Sequence, residues 1–167
     1  MRKLENRVVF ITGGLSGIGK ACAIAAAKEG ANIILADFRS DKVIKVIEEI
    51  VKENVKAMFI ECDVSRFKQV ETVMQKVMDT FGRFDIALNN AGIGGTASKV
   101  GKMTEEMWLQ VININLNGVF NCMRHELAVM WKQKKGVIIN MSSVMGRVGF
   151  STSSHYVAAK HGVIGLT

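Results

Sequence analysis

The chain has 167 residues, 49% of them hydrophobic and 22% charged, and its formal net charge is +7. This length suits a single domain, and the composition excludes a disordered tail, a collagen-like fibre and a disulfide-framed toxin. Its three cysteines, Cys22, Cys62 and Cys122, are far apart and form no C-x-x-C pair, so we interpret them as reduced thiols in the core of a cytoplasmic protein.

Short apolar runs alternate along the chain with longer segments of helical periodicity. The runs predict strands at residues 8–12, 31–37, 56–62, 84–88 and 137–141. Helices are predicted at 18–28, at 43–51 after an N-cap at Ser40 or Asp41, from Ser65 to Phe81, from Thr104 towards Lys132, and from Ser153 onwards. This alternation is typical of βαβ units. The predicted fold class is therefore α/β, with one doubly wound parallel sheet, and residues 1–167 are assigned to a single domain.

The positive charges are spread along the chain, and their one local cluster is Lys132, Lys134 and Lys135. No aromatic residues are interleaved with these lysines, so a solvated helix end is favoured over a nucleic-acid surface. No apolar run reaches membrane-spanning length, and the run at residues 7–12 is too short for a signal peptide. We expect neither a nucleic-acid nor a membrane partner.

A glycine-rich turn with the sequence TGGLSGIG, residues 12–19, joins the first strand to the first helix. Glycines there allow backbone N–H groups to approach a phosphate, and a helix N-terminus favours negative charge. The turn nearly matches a nucleoside-triphosphate loop, but Ala21 stands where a Ser or Thr must hold magnesium. A plain glycine turn is the other alternative. Asp37 ends the second strand, where a carboxylate can bind both hydroxyls of an adenosine ribose.

Tyr156 is the only tyrosine of the chain, and Lys160 follows it four residues later. Positions i and i+4 share one face of a helix, so the phenol and the ammonium can lie side by side. A neighbouring cation favours the phenolate and prepares the group for proton transfer near neutral pH. An amphipathic tyrosine beside an unrelated lysine is the alternative. Ser143 lies thirteen residues before the tyrosine.

The chain also carries three histidines. His155 and His161 flank the tyrosine–lysine pair, and we interpret them as surface or pocket-lining residues; His125 is interpreted as helix surface. No His, Cys or carboxylate set has metal-ligand spacing, so no metal is expected.

Together the TGGLSGIG turn, Asn89-Asn90-Ala91-Gly92, Asn115, Ser143 and Tyr156-x-x-x-Lys160 resemble the short-chain dehydrogenase/reductase family in order and spacing. The resemblance implies a Rossmann-like fold and an NAD-dependent oxidoreductase that transfers a hydride between the nicotinamide and a secondary alcohol or ketone. The alternative from another class is a nucleotide-binding or interaction module without turnover.

The resemblance also implies residue roles. Tyr156 would be the acid/base, Lys160 would bind the nicotinamide ribose and favour the phenolate, Ser143 would bind the substrate oxygen, and Asn115 would anchor a water in the proton relay. Asn115 could instead mark a helix irregularity, and Ser142 is the less favoured alternative to Ser143. The implied cofactor-binding residues are Gly13, Leu15, Ser16, Gly17, Ile18, Gly19, Asp37, Asp63, Val64, Asn90, Ala91, Gly92, Tyr156 and Lys160.

Members of the family continue past the position of Thr167 with two more strands, a proline–glycine segment and a substrate loop. We therefore expect this chain to lack the last strands of the family domain and to fold poorly or associate by itself, with little or no activity. We expect a homo-oligomer for the full-length protein.

Overall fold

The computed structural model describes residues 2–167 of the chain. Within these residues, five strands form one parallel sheet in the order β3-β2-β1-β4-β5. The strands are β1 (Val8–Thr12), β2 (Asn32–Asp37), β3 (Ala57–Glu61), β4 (Ile86–Asn89) and β5 (Val137–Asn140). The predicted parallel α/β fold is confirmed, with strand ends that differ from the prediction by at most two residues.

Helices cover both faces of the sheet. A strand presents alternate side chains to opposite faces, and β1 is buried along its whole length because both faces are covered. Helices α1 (Gly17–Lys28) and α2 (Val43–Val51) pack on the face of Val9 and Ile11. Helices α3 (Phe67–Phe81) and α5 (Gly118–Gln133) pack on the face of Val8 and Phe10. The remaining α-helices are α4 (Glu105–Ile112) and α6 (Ser154–Leu166).

Some predicted helix boundaries are wrong. Neither Ser40 nor Asp41 is the N-cap of α2, which is Lys42, and α3 begins after Arg66 rather than at a cap by Ser65. The Ser65 hydroxyl instead donates to Asp63 Oδ1 at 2.7 Å, an alternative local bond typical of serine. Thr104 does cap α4, accepting a hydrogen bond from the Met107 N–H at 3.3 Å.

The long helix predicted from Thr104 towards Lys132 is interrupted. Residues Asn113–Asn117 form a π-helical turn between α4 and α5. Such turns are rare insertions that shift the helix register and occur often at functional sites. The helical periodicity continues on both sides of the turn, so the pattern of apolar residues does not reveal it.

β5 forms one edge of the sheet in the described part of the chain, and Val137 and Ile139 are about half exposed. No helix among residues 2–167 is long and apolar enough to span a bilayer.

Candidate functional site

A cleft of about 760 Å³ opens at the carboxyl ends of β1, β2 and β4. The strand order reverses at this edge, between β1 and β4, where open parallel sheets commonly bind ligands. Most of the predicted cofactor residues line the cleft: Gly13, Ser16, Gly17, Ile18, Asp37, Asp63, Val64, Asn90, Ala91 and Gly92.

Two residues of the glycine-rich turn lie beneath the cleft rather than on its wall. Leu15 is 3% exposed and belongs to the core, and Gly19 is buried. A Cβ built on Gly19 would overlap the carbonyl oxygen of Gly13, so the close packing of the turn requires glycine there. Gly17 has a φ of +50° and faces open space, which leaves the start of α1 accessible from the cleft.

The amino end of α1 has the properties of an anion site. Ser16 is the N-cap residue, and its side chain makes no capping hydrogen bond. The first turn of α1 contains no acidic residue. Its unpaired N–H groups and the positive end of the helix dipole therefore favour a phosphate at this position.

Asp37, at the end of β2, is held in place by two backbone groups. Its Oδ2 accepts a hydrogen bond from the Leu15 N–H at 3.1 Å, and its Oδ1 accepts one from the Arg39 N–H at 3.2 Å. The carboxylate is thus fixed against the glycine-rich turn. Arg39 lines the cleft as well. Sequence reasoning missed six other residues that line it, namely Ala36, Phe38, Cys62, Ile93, Gln110 and Ile114.

Thr12 and Asn90 join the ends of β1 and β4. Thr12 Oγ1 accepts hydrogen bonds from the Asn90 and Ala91 N–H groups, both at 3.0 Å. Asn90 Nδ2 donates to the Thr12 and Gly13 carbonyl oxygens at 3.1 and 3.2 Å. The glycine-rich turn and the Asn90–Gly92 segment are therefore held together, although 78 residues separate Thr12 from Asn90 in the chain.

Asn89, one residue earlier, connects β4 to its neighbours inside the protein. Its Nδ2 donates to Glu126 Oε2 and to Asn140 Oδ1, both at 2.9 Å. Glu126 is fully buried on α5, and burial raises the pKa of its carboxyl to about 7, against the smaller lowering effect of the Asn89 hydrogen bond.

Asn115 lies in the π-helical turn and is fully buried. Its Nδ2 donates to the Ile93 and Val111 carbonyl oxygens at 3.0 Å, and its Oδ1 accepts from the Ile93 N–H at 3.2 Å. Asn115 does mark a helix irregularity, and it also fixes the loop that follows β4.

Lys160 approaches Tyr156 on one face of α6. The Lys160 Nζ lies 5.6 Å from the centroid of the Tyr156 ring and donates to the Met141 carbonyl oxygen at 2.7 Å. Lys160 is 3% exposed, and burial lowers the pKa of its ammonium. A Cβ built on Gly92 would lie 3.7 Å from this Nζ and 2.6 Å from Asn115 Oδ1, so both side chains converge on Gly92.

The two serines after β5 have different partners. The Ser142 hydroxyl donates to the Lys160 carbonyl oxygen at 2.9 Å, which attaches it to α6. Ser143 Oγ accepts from the Met145 N–H at 3.2 Å, and this contact leaves its own proton available for donation.

The histidines differ from the prediction in part. His155 is fully buried, so its interpretation as a surface or pocket-lining residue is wrong. His161 is exposed on α6. His125 is half-buried and packs against Phe67, with 4.9 Å between the ring centroids and 47° between the ring planes.

Comparison with known proteins agrees with this architecture. The family model described as short chain dehydrogenase matches residues 7–167. A 3beta-hydroxysteroid dehydrogenase of Mediterraneibacter gnavus is 38% identical over the whole chain, which covers 60% of that protein. A cyclohexanol dehydrogenase of Acinetobacter sp. is 37% identical over 99% of the chain, which covers 66% of that protein. The chain thus spans about 60–66% of the length of these two relatives.

A solved structure of an NAD+-bound xylitol dehydrogenase superposes with a TM-score of 0.96 at 30% identity, covering 99% of this chain and 64% of that one. The matched family model extends from β1 to the end of α6, and so includes every element that forms the cleft. The chain belongs to the short-chain dehydrogenase family.

Proposed function

We propose that this protein is an NAD-dependent oxidoreductase that interconverts a secondary alcohol and the corresponding ketone. The observation that carries the proposal is the convergence of Lys160 and Asn115 on Gly92, with Tyr156 on the same helix face as Lys160. Two relatives are named for the oxidation of a hydroxysteroid and of cyclohexanol, which are both alcohols. This supports an alcohol or ketone as the substrate class.

The cleft fits a dinucleotide. The start of α1 would hold the pyrophosphate, because its N–H groups are free of a side-chain cap. The fixed carboxylate of Asp37 would accept hydrogen bonds from the adenosine ribose, and Asp63 and Val64 would line the adenine position. Similarity to an NAD+-bound xylitol dehydrogenase supports NAD as this dinucleotide.

When bound, NAD supplies a ring carbon that accepts or returns a hydride. Tyr156 acts as the general base for alcohol oxidation, taking the hydroxyl proton on its phenolic oxygen, and as the general acid in the reverse direction. Ser143 donates its free proton to the substrate oxygen and so holds it in place. These two groups stabilise the oxygen as its charge changes.

Lys160 and Asn115 support the tyrosine. The buried ammonium favours the phenolate, and its Nζ keeps donors beyond the one given to Met141 for the nicotinamide ribose. Asn115 uses its amide to hold the Ile93 backbone. Its family role as the anchor of a water in a proton relay is part of the proposal.

The proposal is tested first by calorimetric titration with NAD, and then by following reduction of the cofactor with simple secondary alcohols. Saturable binding of NAD together with alcohol-dependent reduction of NAD is expected. Tyr156→Phe should abolish the reduction and leave the binding intact. His161→Gln is the control, because this histidine is exposed on the same helix. Because little or no activity is expected of residues 1–167 alone, both measurements use a parent protein that carries the rest of the family domain. Binding without turnover in that protein would favour a nucleotide-binding module instead.

A further inference from the structure

His155 directly precedes Tyr156, and it is fully buried at the start of α6. Both nitrogens of its ring are engaged by backbone groups. Nδ1 accepts a hydrogen bond from the Tyr156 N–H at 2.9 Å, and Nε2 lies 3.1 Å from the Thr96 carbonyl oxygen. The proposed function gives this histidine no role.

These contacts define the tautomer of the ring. A backbone N–H only donates, so Nδ1 must carry a lone pair. A carbonyl oxygen only accepts, so Nε2 must carry the proton. His155 is therefore a neutral imidazole whose two nitrogens have different and fixed hydrogen-bonding roles.

The contact on Nδ1 replaces a missing helix cap. The first N–H groups of a helix have no partner within it. In α6 the first intrahelical bond joins the Val157 N–H to the Ser153 carbonyl oxygen at 2.8 Å, and the Ser153 side chain makes no cap. His155 thus provides the acceptor for the otherwise unpaired Tyr156 N–H.

The contact on Nε2 reaches the loop after β4, which begins with the cleft-lining residues Asn90–Ile93. The ring lies against Gly95, whose φ is +72°, and a Cβ there would come within 2.8 Å of Nε2. The loop is therefore attached at two points in its first part, to Asn115 through Ile93 and to α6 through Thr96. The Ser98 N–H also donates to the Thr152 carbonyl oxygen at 2.8 Å.

We propose that His155 is a positioning residue with two separable tasks. Through Nδ1 it fixes the backbone of Tyr156, and through Nε2 it fixes the loop that continues the wall of the cofactor cleft. This inference rests on the proposed function of the site, because Tyr156 and the cleft matter only if the protein binds NAD and turns over substrate.

Two partial isosteres separate the tasks. Asparagine places an acceptor near the position of Nδ1 but cannot reach Thr96, and glutamine places a donor near the position of Nε2 but leaves the Tyr156 N–H without its partner. Loss of one buried hydrogen bond typically changes an equilibrium about fivefold. We therefore expect His155→Gln to lower kcat about fivefold or more, with the Kd for NAD within twofold of the parent. His155→Asn should raise the Kd for NAD about fivefold and should lower kcat by less than His155→Gln does.

The measurements are NAD titration, steady-state kinetics, and 15N NMR of the histidine rings in the unliganded protein, all with the protein that carries the rest of the family domain. NMR should find a protonated Nε2 and an unprotonated Nδ1 for His155. His161→Gln is the matched control for the titration and the kinetics, because it makes the same substitution at an exposed position of the same helix. A purely structural role predicts equal losses of kcat and affinity in both variants, which would overturn the inference, as would the opposite tautomer. If the parent protein does not bind NAD, the proposed function fails while the NMR result still decides the tautomer. If the parent binds and turns over normally and neither variant changes either constant, only the inference fails.

Discussion

Replacing Glu126 by glutamine should change how the stability of the protein depends on pH. Glu126 is fully buried, and only its Oε2 has a partner, the Asn89 Nδ2 at 2.9 Å. Within the described residues, Glu126 Oε1 and Asn89 Oδ1 are buried without hydrogen bonds. A glutamine keeps the size of the side chain and brings N–H donors into this cluster, but it has no proton to lose.

The size of the effect follows from the pKa of the carboxyl. Burial raises this pKa from the ordinary 4.5 to about 7 in the folded protein. Between these two values the folded chain binds more protons than the unfolded chain, so the free energy of unfolding falls as the pH rises. At 1.36 kcal/mol per pH unit, the loss reaches about 3 kcal/mol above pH 7. It is absent below pH 4.5, where both states are protonated.

Glu126→Gln should therefore be more stable than the parent above pH 7, by up to about 3 kcal/mol, and similar to it below pH 4.5. Urea unfolding followed by circular dichroism across this pH range measures the difference. Glu48→Gln is the matched control, because Glu48 is exposed on α2. If the pH dependence of Glu126→Gln equals that of the parent, the carboxyl is not the group responsible and the reasoning is refuted.

The remaining predictions concern the proposed cofactor and catalytic residues. In a protein that carries the rest of the family domain, Tyr156→Phe should lower kcat by about 100-fold or more while the Kd for NAD stays within twofold, since the ring remains and the transferable proton is lost. A tenth of the parental rate would contradict the acid/base role. Lys160→Ala should lower both kcat and the affinity for NAD in the same two assays. An unchanged affinity would contradict the proposed contact between Lys160 and the nicotinamide ribose. NAD should bind more tightly than NADP because the carboxylate of Asp37 repels the 2′-phosphate of NADP. Asp37→Ala should raise the affinity for NADP and so reduce the difference between the two affinities. Equal affinities in the parent would show that Arg39, which also lines the cleft, outweighs Asp37.

The sheet could be predicted from the sequence because its strands are apolar on both faces. The buried pattern of β1 and the helical periodicity of α2 and α3 each reflect a local choice that agrees with the final fold. Helix ends were predicted less well, since several polar residues compete for each cap. Ser65 illustrates this, because its hydroxyl donates to Asp63 and Arg66 is the N-cap of α3 instead.

The positions of the cleft residues could be predicted from a motif, but the buried polar residues that hold them in place could not. The glycine-rich turn, Asp37 and the Asn90–Gly92 segment all lie at one edge of the sheet, as their places at strand ends predict. The buried state of His155 and of Glu126 has no local signal, because both are polar residues that ordinarily lie on a surface. Only the long-range packing of α5 and α6 determines that each is enclosed.

Gly92 and Asn115 show why a motif match differs from a physical explanation. Both belong to the sequence pattern of the family, and nothing in the pattern says that they touch. In the fold, Asn115 Oδ1 occupies the space that a Cβ at position 92 would need, and the same oxygen accepts the Ile93 N–H. The π-helical turn places Asn115 at this point, and the bond from its Nδ2 to the Val111 carbonyl oxygen ties the amide to the preceding helix. The glycine is therefore required by the asparagine, and the asparagine is held by the irregular turn, so a change at either position alone should displace the loop beside Lys160.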